Sequence, residues 1–210
     1  MQAISGLYAI TPDCTNTDDL LERTRAVLAG GAQVLQYRNK SANATLKLTQ
    51  ARALRTLTRE LNVTFIVNDD TQLAEQVEAD GVHLGGTDGE VNTARAILGK
   101  DKIIGVSCYN RLALARDAVS SGADYVAFGA FFPSGVKPNA VIADIELLRL
   151  ARAEFTVPLV AIGGITPENA PELIAAGANA LAMISALFNA TNCQVATNKF
   201  STLFNRDAVS

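Results

Sequence analysis

An α/β barrel of eight parallel strands, each followed by a helix, is the architecture this sequence predicts. Three observations carry the prediction. Eight short apolar runs are spread along the 210 residues, with longer amphipathic stretches between them. The runs are continuously apolar rather than alternating, which suits strands buried on both faces of a parallel sheet. A single helix-to-strand junction also recurs four times. Ala29-Gly30-Gly31-Ala32 precedes the run at Val34, and Ala79-Asp80-Gly81 precedes the one at Val82. Ser121-Gly122-Ala123-Asp124 leads into Tyr125, and Ala176-Gly177-Ala178-Asn179 into Ala180. Each junction reads as a helix that ends on a glycine, free to take the left-handed cap conformation, with a buried strand following at once.

In chain order the expected strands are Leu7–Thr11, Val34–Arg38, Phe65–Asn68, Gly81–Leu84, Ile103–Ser107, Tyr125–Phe128, Leu159–Ile162 and Ala180–Ile184. The first helix is expected over Asp18–Leu28, capped by Thr17, with Leu20, Leu21, Thr24, Val27 and Leu28 along one side. A longer helix is expected over Asn43–Leu61, and a polar stretch over Asn189–Asn198 before a last helix. A doubly wound open sheet is the rival fold, but it ordinarily carries a glycine-rich turn after its first strand. Tyr8-Ala9-Ile10-Thr11-Pro12-Asp13 has no glycine, which favours a (β/α)8 TIM barrel spanning residues 1–210 as one domain.

Composition narrows the function. With 49% hydrophobic and 19% charged residues the chain has the balance of a folded globular protein. A net charge of −3, without basic runs, argues against a nucleic-acid or membrane-surface partner. No targeting segment is legible at the start, and no apolar stretch approaches the roughly 18 residues of a membrane span. Cys14, Cys108 and Cys193 are odd in number and widely spaced, which disfavours a disulfide framework or a zinc site and points to the reducing cytoplasm.

In such barrels the chemistry sits where the strands end. The second strand runs into Gln36-Tyr37-Arg38-Asn39-Lys40, and alternation puts Gln36, Arg38 and Lys40 on one face. Two cations and an amide converging there suit a phosphate; a solvated loop is the bland alternative. The third strand ends in Asn68-Asp69-Asp70 and the fourth leads to Asp88. Adjacent strands are about 4.8 Å apart, so Asp69 and Asp88 can face each other across the mouth. Bare carboxylates about 5 Å apart repel by roughly 3 kcal/mol at an effective dielectric near 20, a cost that a cation between them removes. With phosphate-binding cations nearby, Mg2+ is the expected metal. One of Asp69 and Asp70 is expected to cap the helix beginning near Thr71 while the other points inward.

His83, the only histidine, lies in an apolar strand and reads as a hydrogen-bonded interior group rather than a base. Ser107 has no His or Asp relay in the sequence pattern, so a ligand hydrogen bond suits it better than nucleophilic attack. A loop from Phe128 through Ser134 and Gly135 to Lys137 follows the sixth strand. Gly163-Gly164 follow the seventh and Ile184-Ser185 the eighth, the two places where barrels commonly bind a phosphate through backbone amides. The residues therefore suggest two anion sites in one mouth, one for a diphosphate with Mg2+ and one for a monophosphate.

From Leu7 to Leu187 the pattern resembles thiamine-phosphate synthase. QYRNK at 36–40, NDD at 68–70, GVHLGGTD at 81–88, GVS at 105–107, the Phe-Pro-Ser-Gly-Val-Lys loop, AIGGI at 161–165 and MISAL at 183–187 come in the family's order. That family joins 4-amino-2-methyl-5-hydroxymethylpyrimidine diphosphate to 4-methyl-5-hydroxyethylthiazole phosphate and releases pyrophosphate. The resemblance implies that Gln36, Arg38, Lys40, Asn68, Ser107 and Lys137 bind the pyrimidine diphosphate, with Tyr37 and Asn39 of the same segment. It places Mg2+ on Asp69 and Asp88, and Ser134, Gly135 and Val136 along the thiazole, whose phosphate meets Gly164, Ile184 and Ser185. Arg38, Lys40 and Lys137 become the groups that stabilise the leaving pyrophosphate in a dissociative reaction. Small phosphorylated molecules are then the partners. A thiazole tautomerase on the same barrel, or a phosphometabolite binder without turnover, are the competing readings.

Overall fold

The protein is seen here in a computed structural model that describes residues 4–85, 90–133 and 142–204. Eight parallel strands close into a barrel, each hydrogen-bonded to its sequence neighbour and the last to the first. The strands are β1 (Gly6–Ile10), β2 (Val34–Tyr37), β3 (Thr64–Asn68), β4 (Gly81–Leu84), β5 (Ile103–Tyr109), β6 (Tyr125–Gly129), β7 (Leu159–Ile162) and β8 (Ala180–Met183). Among the described residues the helices are α1 (Thr17–Ala29), α2 (Ala44–Glu60), α3 (Thr71–Gln76), α4 (Val91–Leu98), α5 (Leu112–Ser120), α6 (Ile145–Glu154), α7 (Ala170–Ala175), α8 (Ser185–Phe188) and α9 (Cys193–Ser201).

All eight expected strands are present, with ends displaced by a residue or two. β2 stops at Tyr37, so Arg38 stands just beyond the strand rather than within it. β5 runs on to Tyr109 through a register shift after Ser107. The cap of α1 is Asn16, whose side chain accepts from the N–H groups of Asp18 and Asp19, and Thr17 is the first helical residue. The polar stretch expected before the last helix already contains the start of that helix, α9, which begins at Cys193 capped by Asn192.

Apolar residues lie on both faces of the sheet. Leu7, Leu35, Phe65, Val82, Ile104 and Leu159 face the helical ring. Tyr8, Ile10, Val34, Ile66, Ile103, Tyr125 and Val160 fill the barrel interior. By the same alternation Gln36, Asn68, His83 and Ser107 turn inward near the ends of β2 to β5. Polar interior groups are thus gathered on one side of the barrel.

The recurring junction has a structural reason. At the start of three of the four even strands a side chain reaches back to the preceding odd strand. Asp80 accepts from Phe65 N–H at 2.8 Å, Asp124 from Ile104 N–H at 2.7 Å, and Asn179 from Leu159 N–H at 2.8 Å. Each is also held by an arginine of the helix that precedes the odd strand of the pair: Arg55 of α2, Arg95 of α4 and Arg152 of α6. The glycine reading holds at Gly31, Gly122 and Gly177, all with positive φ, but fails at the second junction. There Glu78 takes the left-handed conformation at φ 52°, while Gly81 lies inside β4. A Cβ on Gly81 would stand 2.0 Å from the Ile103 carbonyl oxygen, so close packing of the strands explains that glycine.

Candidate active site

The mouth is built where β1 to β5 end. Thr11, fully buried beyond β1, ties the first two strand ends together. Its N–H donates to the Gln36 carbonyl at 3.0 Å, while its hydroxyl accepts from Arg38 N–H and donates to the Arg38 carbonyl, both at 2.9 Å. Asp13 then accepts from Arg38 Nη1 at 3.2 Å and from the Lys40 backbone N–H at 2.9 Å. These contacts aim the Arg38 guanidinium and fix the backbone at Lys40. Sequence reasoning passed over Asp13; its place two residues after the end of the first strand run was the available signal.

Tyr37 and Asn39 alternate with the residues just described and turn the other way. The Tyr37 hydroxyl donates to Gln50 Oε1 on α2 at 2.9 Å, and Asn39 Nδ2 donates to the Cys14 carbonyl and to Gln50. They anchor the loop to α2, so their polar groups are committed to the protein. A cavity of about 330 Å³ lies between the loops after β2 and β3, with Lys40, Lys47, Asn68 and Asp69 in its wall.

The two neighbouring aspartates divide as expected. Asp70 caps α3, accepting from Leu73 N–H at 2.9 Å. Asp69 has φ 62°, a conformation uncommon outside glycine. Its carboxylate accepts from Asn68 Nδ2 at 2.6 Å and from Gly85 N–H at 3.3 Å, and stands 3.9 Å from Lys40 Nζ. Arg38, Lys40, Asn68 and Asp69 are therefore drawn together on one side of the mouth. Asp88, Ser134, Gly135, Val136 and Lys137 lie outside the described residues. Among the described residues no group of three or more His, Cys, Asp and Glu side chains is placed to hold a metal.

On the opposite side, Gly163 and Gly164 follow β7 with φ 104° and 61°. A Cβ on Gly163 would stand 2.4 Å from that of Ala130, and one on Gly164 2.5 Å from the Pro133 carbonyl oxygen. These glycines thus permit the loops after β6 and β7 to touch. The contact is tied by Phe131 N–H to the Ile162 carbonyl and Phe132 N–H to the Gly163 carbonyl, both at 3.1 Å, beside a cis Gly129–Ala130 peptide. Ile184 precedes α8, and Ser185 opens it.

Beneath the mouth a row of polar side chains crosses the barrel. Gln36 Nε2 donates to the Tyr8 hydroxyl, which is hydrogen-bonded to the Tyr125 hydroxyl; Tyr125 meets His83 Nδ1, and His83 Nε2 meets Ser107 Oγ, each contact 2.8 Å long. The Tyr125 ring occupies the space above Gly105, where a Cβ would approach it to 1.9 Å. Burial pushes both tyrosine hydroxyls above their usual ionisation range and pulls His83 down to about 4. The row is uncharged at neutral pH. The two tyrosines were not singled out in the sequence, where they read as ordinary strand residues.

Among the described residues the mouth thus offers cations, a carboxylate and hydroxyl and amide donors, and the serine that meets an imidazole, Ser107 at His83, belongs to the buried row. A family profile described as thiamine monophosphate synthase matches residues 7–187. The chain is 57% identical over 202 residues to the thiamine-phosphate synthase of Methylobacillus flagellatus, covering 96% of each. It is 51% identical to that of Nitrosomonas eutropha, covering 96% of this chain and 95% of the relative. Among solved structures, thiamine phosphate pyrophosphorylase from Pyrococcus furiosus superposes with a TM-score of 0.87 at 34% identity, over 98% of this chain and 97% of that one. With the profile spanning most of its length, this chain belongs to the thiamine monophosphate synthase family.

Proposed function

We propose that this protein is a thiamine-phosphate synthase, a transferase that joins 4-amino-2-methyl-5-hydroxymethylpyrimidine diphosphate to 4-methyl-5-(2-phosphooxyethyl)thiazole and releases pyrophosphate. The observation that carries the reading is the near-full-length identity to relatives of that name. The site chemistry supports it. In a dissociative reaction the bond between the pyrimidine methylene carbon and the diphosphate oxygen breaks first, and the thiazole nitrogen then captures the pyrimidinylmethyl cation. Such a step needs charge stabilisation at the leaving group and an acceptor held at attack distance, with water excluded. It needs no strong base, in keeping with a mouth at which the cations Arg38 and Lys40 are gathered.

In this reading Arg38, Lys40 and Lys137 draw off the charge of the departing pyrophosphate, with Asn68 and Ser107 donating to its oxygens and Gln36 near the pyrimidine. Ser134, Gly135 and Val136 run along the thiazole, and Gly164, Ile184 and Ser185 receive its phosphate. The donor set suits Mg2+, since the Asp69 carboxylate offers hard oxygens and the substrate phosphates supply more. Asp69 and Asp88 would hold the ion, which when bound neutralises charge on the pyrophosphate oxygens. Tyr37 and Asn39 act in this scheme by fixing the loop that carries Arg38 and Lys40. Free thiols at Cys14, Cys108 and Cys193 favour a cytoplasmic setting.

The test supplies both phosphorylated substrates with Mg2+ or with a chelator and oxidises the product to fluorescent thiochrome. Product that appears with Mg2+ and is lost with chelator is expected. A folded protein that gives none with Mg2+ overturns the proposal.

A further inference from the structure

The row of side chains under the mouth has a direction. Gln36 meets Tyr8 through its amide nitrogen, which can only donate, so the Tyr8 oxygen accepts. Tyr8 is fully buried, and the other group bonded to its hydroxyl is that of Tyr125. Were Tyr125 to donate to Tyr8, the Tyr8 oxygen would accept twice and its own proton would point into the interior unpaired, an arrangement native cores avoid. Tyr8 therefore donates to Tyr125. The Tyr125 proton is then free for the neighbour at its other side, His83 Nδ1. A ring nitrogen that accepts carries no proton, so the neutral imidazole holds its proton on Nε2. That proton goes to Ser107 Oγ, whose own hydrogen is left to point away from the row.

We propose that Gln36, Tyr8, Tyr125, His83 and Ser107 form a one-way hydrogen-bond relay that fixes His83 as its Nε2–H tautomer and makes the Ser107 hydroxyl a donor towards the diphosphate in the mouth. His83 and Tyr125 are positioning residues, acting on the ligand through Ser107. The relay also spans the polar side of the site, from Gln36 near the end of β2 to Ser107 near the end of β5. No proton need move along it. Its work is to set in advance, before substrate arrives, which way one hydroxyl faces. The choice of diphosphate as the ligand rests on the function proposed above; the polarity of the relay does not.

Because the chain has a single histidine, the tautomer is directly observable. Protein labelled with 15N-histidine is examined at pH 7 by long-range 1H–15N correlation, which separates a protonated Nε2 from a protonated Nδ1. The Nε2–H pattern is expected, and the Nδ1–H pattern overturns the relay. Tyr125→Phe keeps the ring over Gly105 and removes the hydroxyl, and is expected to abolish the exclusive Nε2–H pattern. Binding of pyrophosphate with Mg2+, measured by calorimetry, should weaken about tenfold in Tyr125→Phe and in Ser107→Ala. The double variant should bind no more weakly than Ser107→Ala alone. Losses that multiply instead, or a Ser107→Ala protein that binds pyrophosphate as the wild type does, overturn the assignment of that hydroxyl to the diphosphate. Neither measurement requires turnover, so a failure to make thiamine phosphate is read separately.

Discussion

Removing the three junction side chains one at a time should destabilise the barrel in a fixed order, Asp80→Ala most and Asn179→Ala least. The Asp80 carboxylate engages Arg55 through Nη1 at 2.8 Å and Nη2 at 2.9 Å, and accepts from Phe65 N–H. The Arg55 side chain is only 13% exposed, and its Nε is already without a partner. Truncating Asp80 strands a nearly buried cation together with a strand N–H, a loss of about 3–5 kcal/mol by the usual cost of breaking such a pair. Arg95 keeps the carbonyls of Gly99, Lys102 and Gly122 when Asp124 is removed, so the penalty reduces to the acceptor for Ile104 N–H and part of a charged bond. About 2–3 kcal/mol is expected. Asn179 is neutral, and Arg152 retains the Phe155 and Val157 carbonyls, which leaves about 1–2 kcal/mol. Urea unfolding read by circular dichroism gives the order through the midpoints, provided the slopes stay constant. All three side chains lie where strands begin, away from the mouth, so kcat of the folded variants should match wild type. Equal losses across the series, or less than about 1 kcal/mol for Asp80→Ala, would refute the argument.

Asp69→Asn should remove the Mg2+ dependence of thiamine-phosphate formation along with most of the activity, as an Mg2+ titration of the rate would register. Its neighbour should behave differently: Asp70→Ala loses an N-cap worth about 1 kcal/mol in urea and leaves the Mg2+ dependence unchanged. Gly164→Ala puts a Cβ at φ 61° and 2.5 Å from the Pro133 carbonyl oxygen, so KM for the thiazole phosphate should rise while that for the pyrimidine diphosphate holds. For pH, burial holds His83 near 4 in the folded chain, against about 6.5 when unfolded. The unfolded chain takes up the proton first, so this contribution is intact above pH 6.5 and fades as pH falls to 4, by about 3 kcal/mol. A His83→Gln variant followed across that interval should lack this component of the slope.

The strands were legible because each is an uninterrupted apolar run, and the junction repeat marked where half of them begin. That same continuity hid the interior. When both faces of a sheet are apolar, sequence offers no cue to which alternate residues face the barrel axis. Tyr8 and Tyr37 look alike in their strands, yet the first meets Tyr125 inside and the second meets Gln50 outside. Register decides this, and register comes from pairing across the sheet. The Tyr8–Tyr125 contact spans 117 positions, beyond the reach of local pattern. Residues at the strand ends were easier, since Arg38, Lys40, Asn68 and Asp69 are polar where the apolar run stops. Asp70 was legible as a cap candidate from its place before Thr71, whereas Glu78 in a left-handed conformation broke the rule that assigns such positions to glycine.

A histidine beside a site of this chemistry invites a role as base, and the geometry argues for the opposite. If the imidazole were protonated, both nitrogens would donate, and Nδ1–H would meet a Tyr125 proton already directed at it. The tyrosine proton would have to turn, either towards Tyr8, which would lose its acceptor, or into the interior unpaired. The relay and the neutral ring therefore require one another, and the burial that lowers the His83 pKa is what sustains both. A reaction that proceeds by loss of a leaving group has no use for a base at that position. It gains from donors whose directions are settled before a highly charged ligand arrives, because no reorientation is then left to oppose the change in charge.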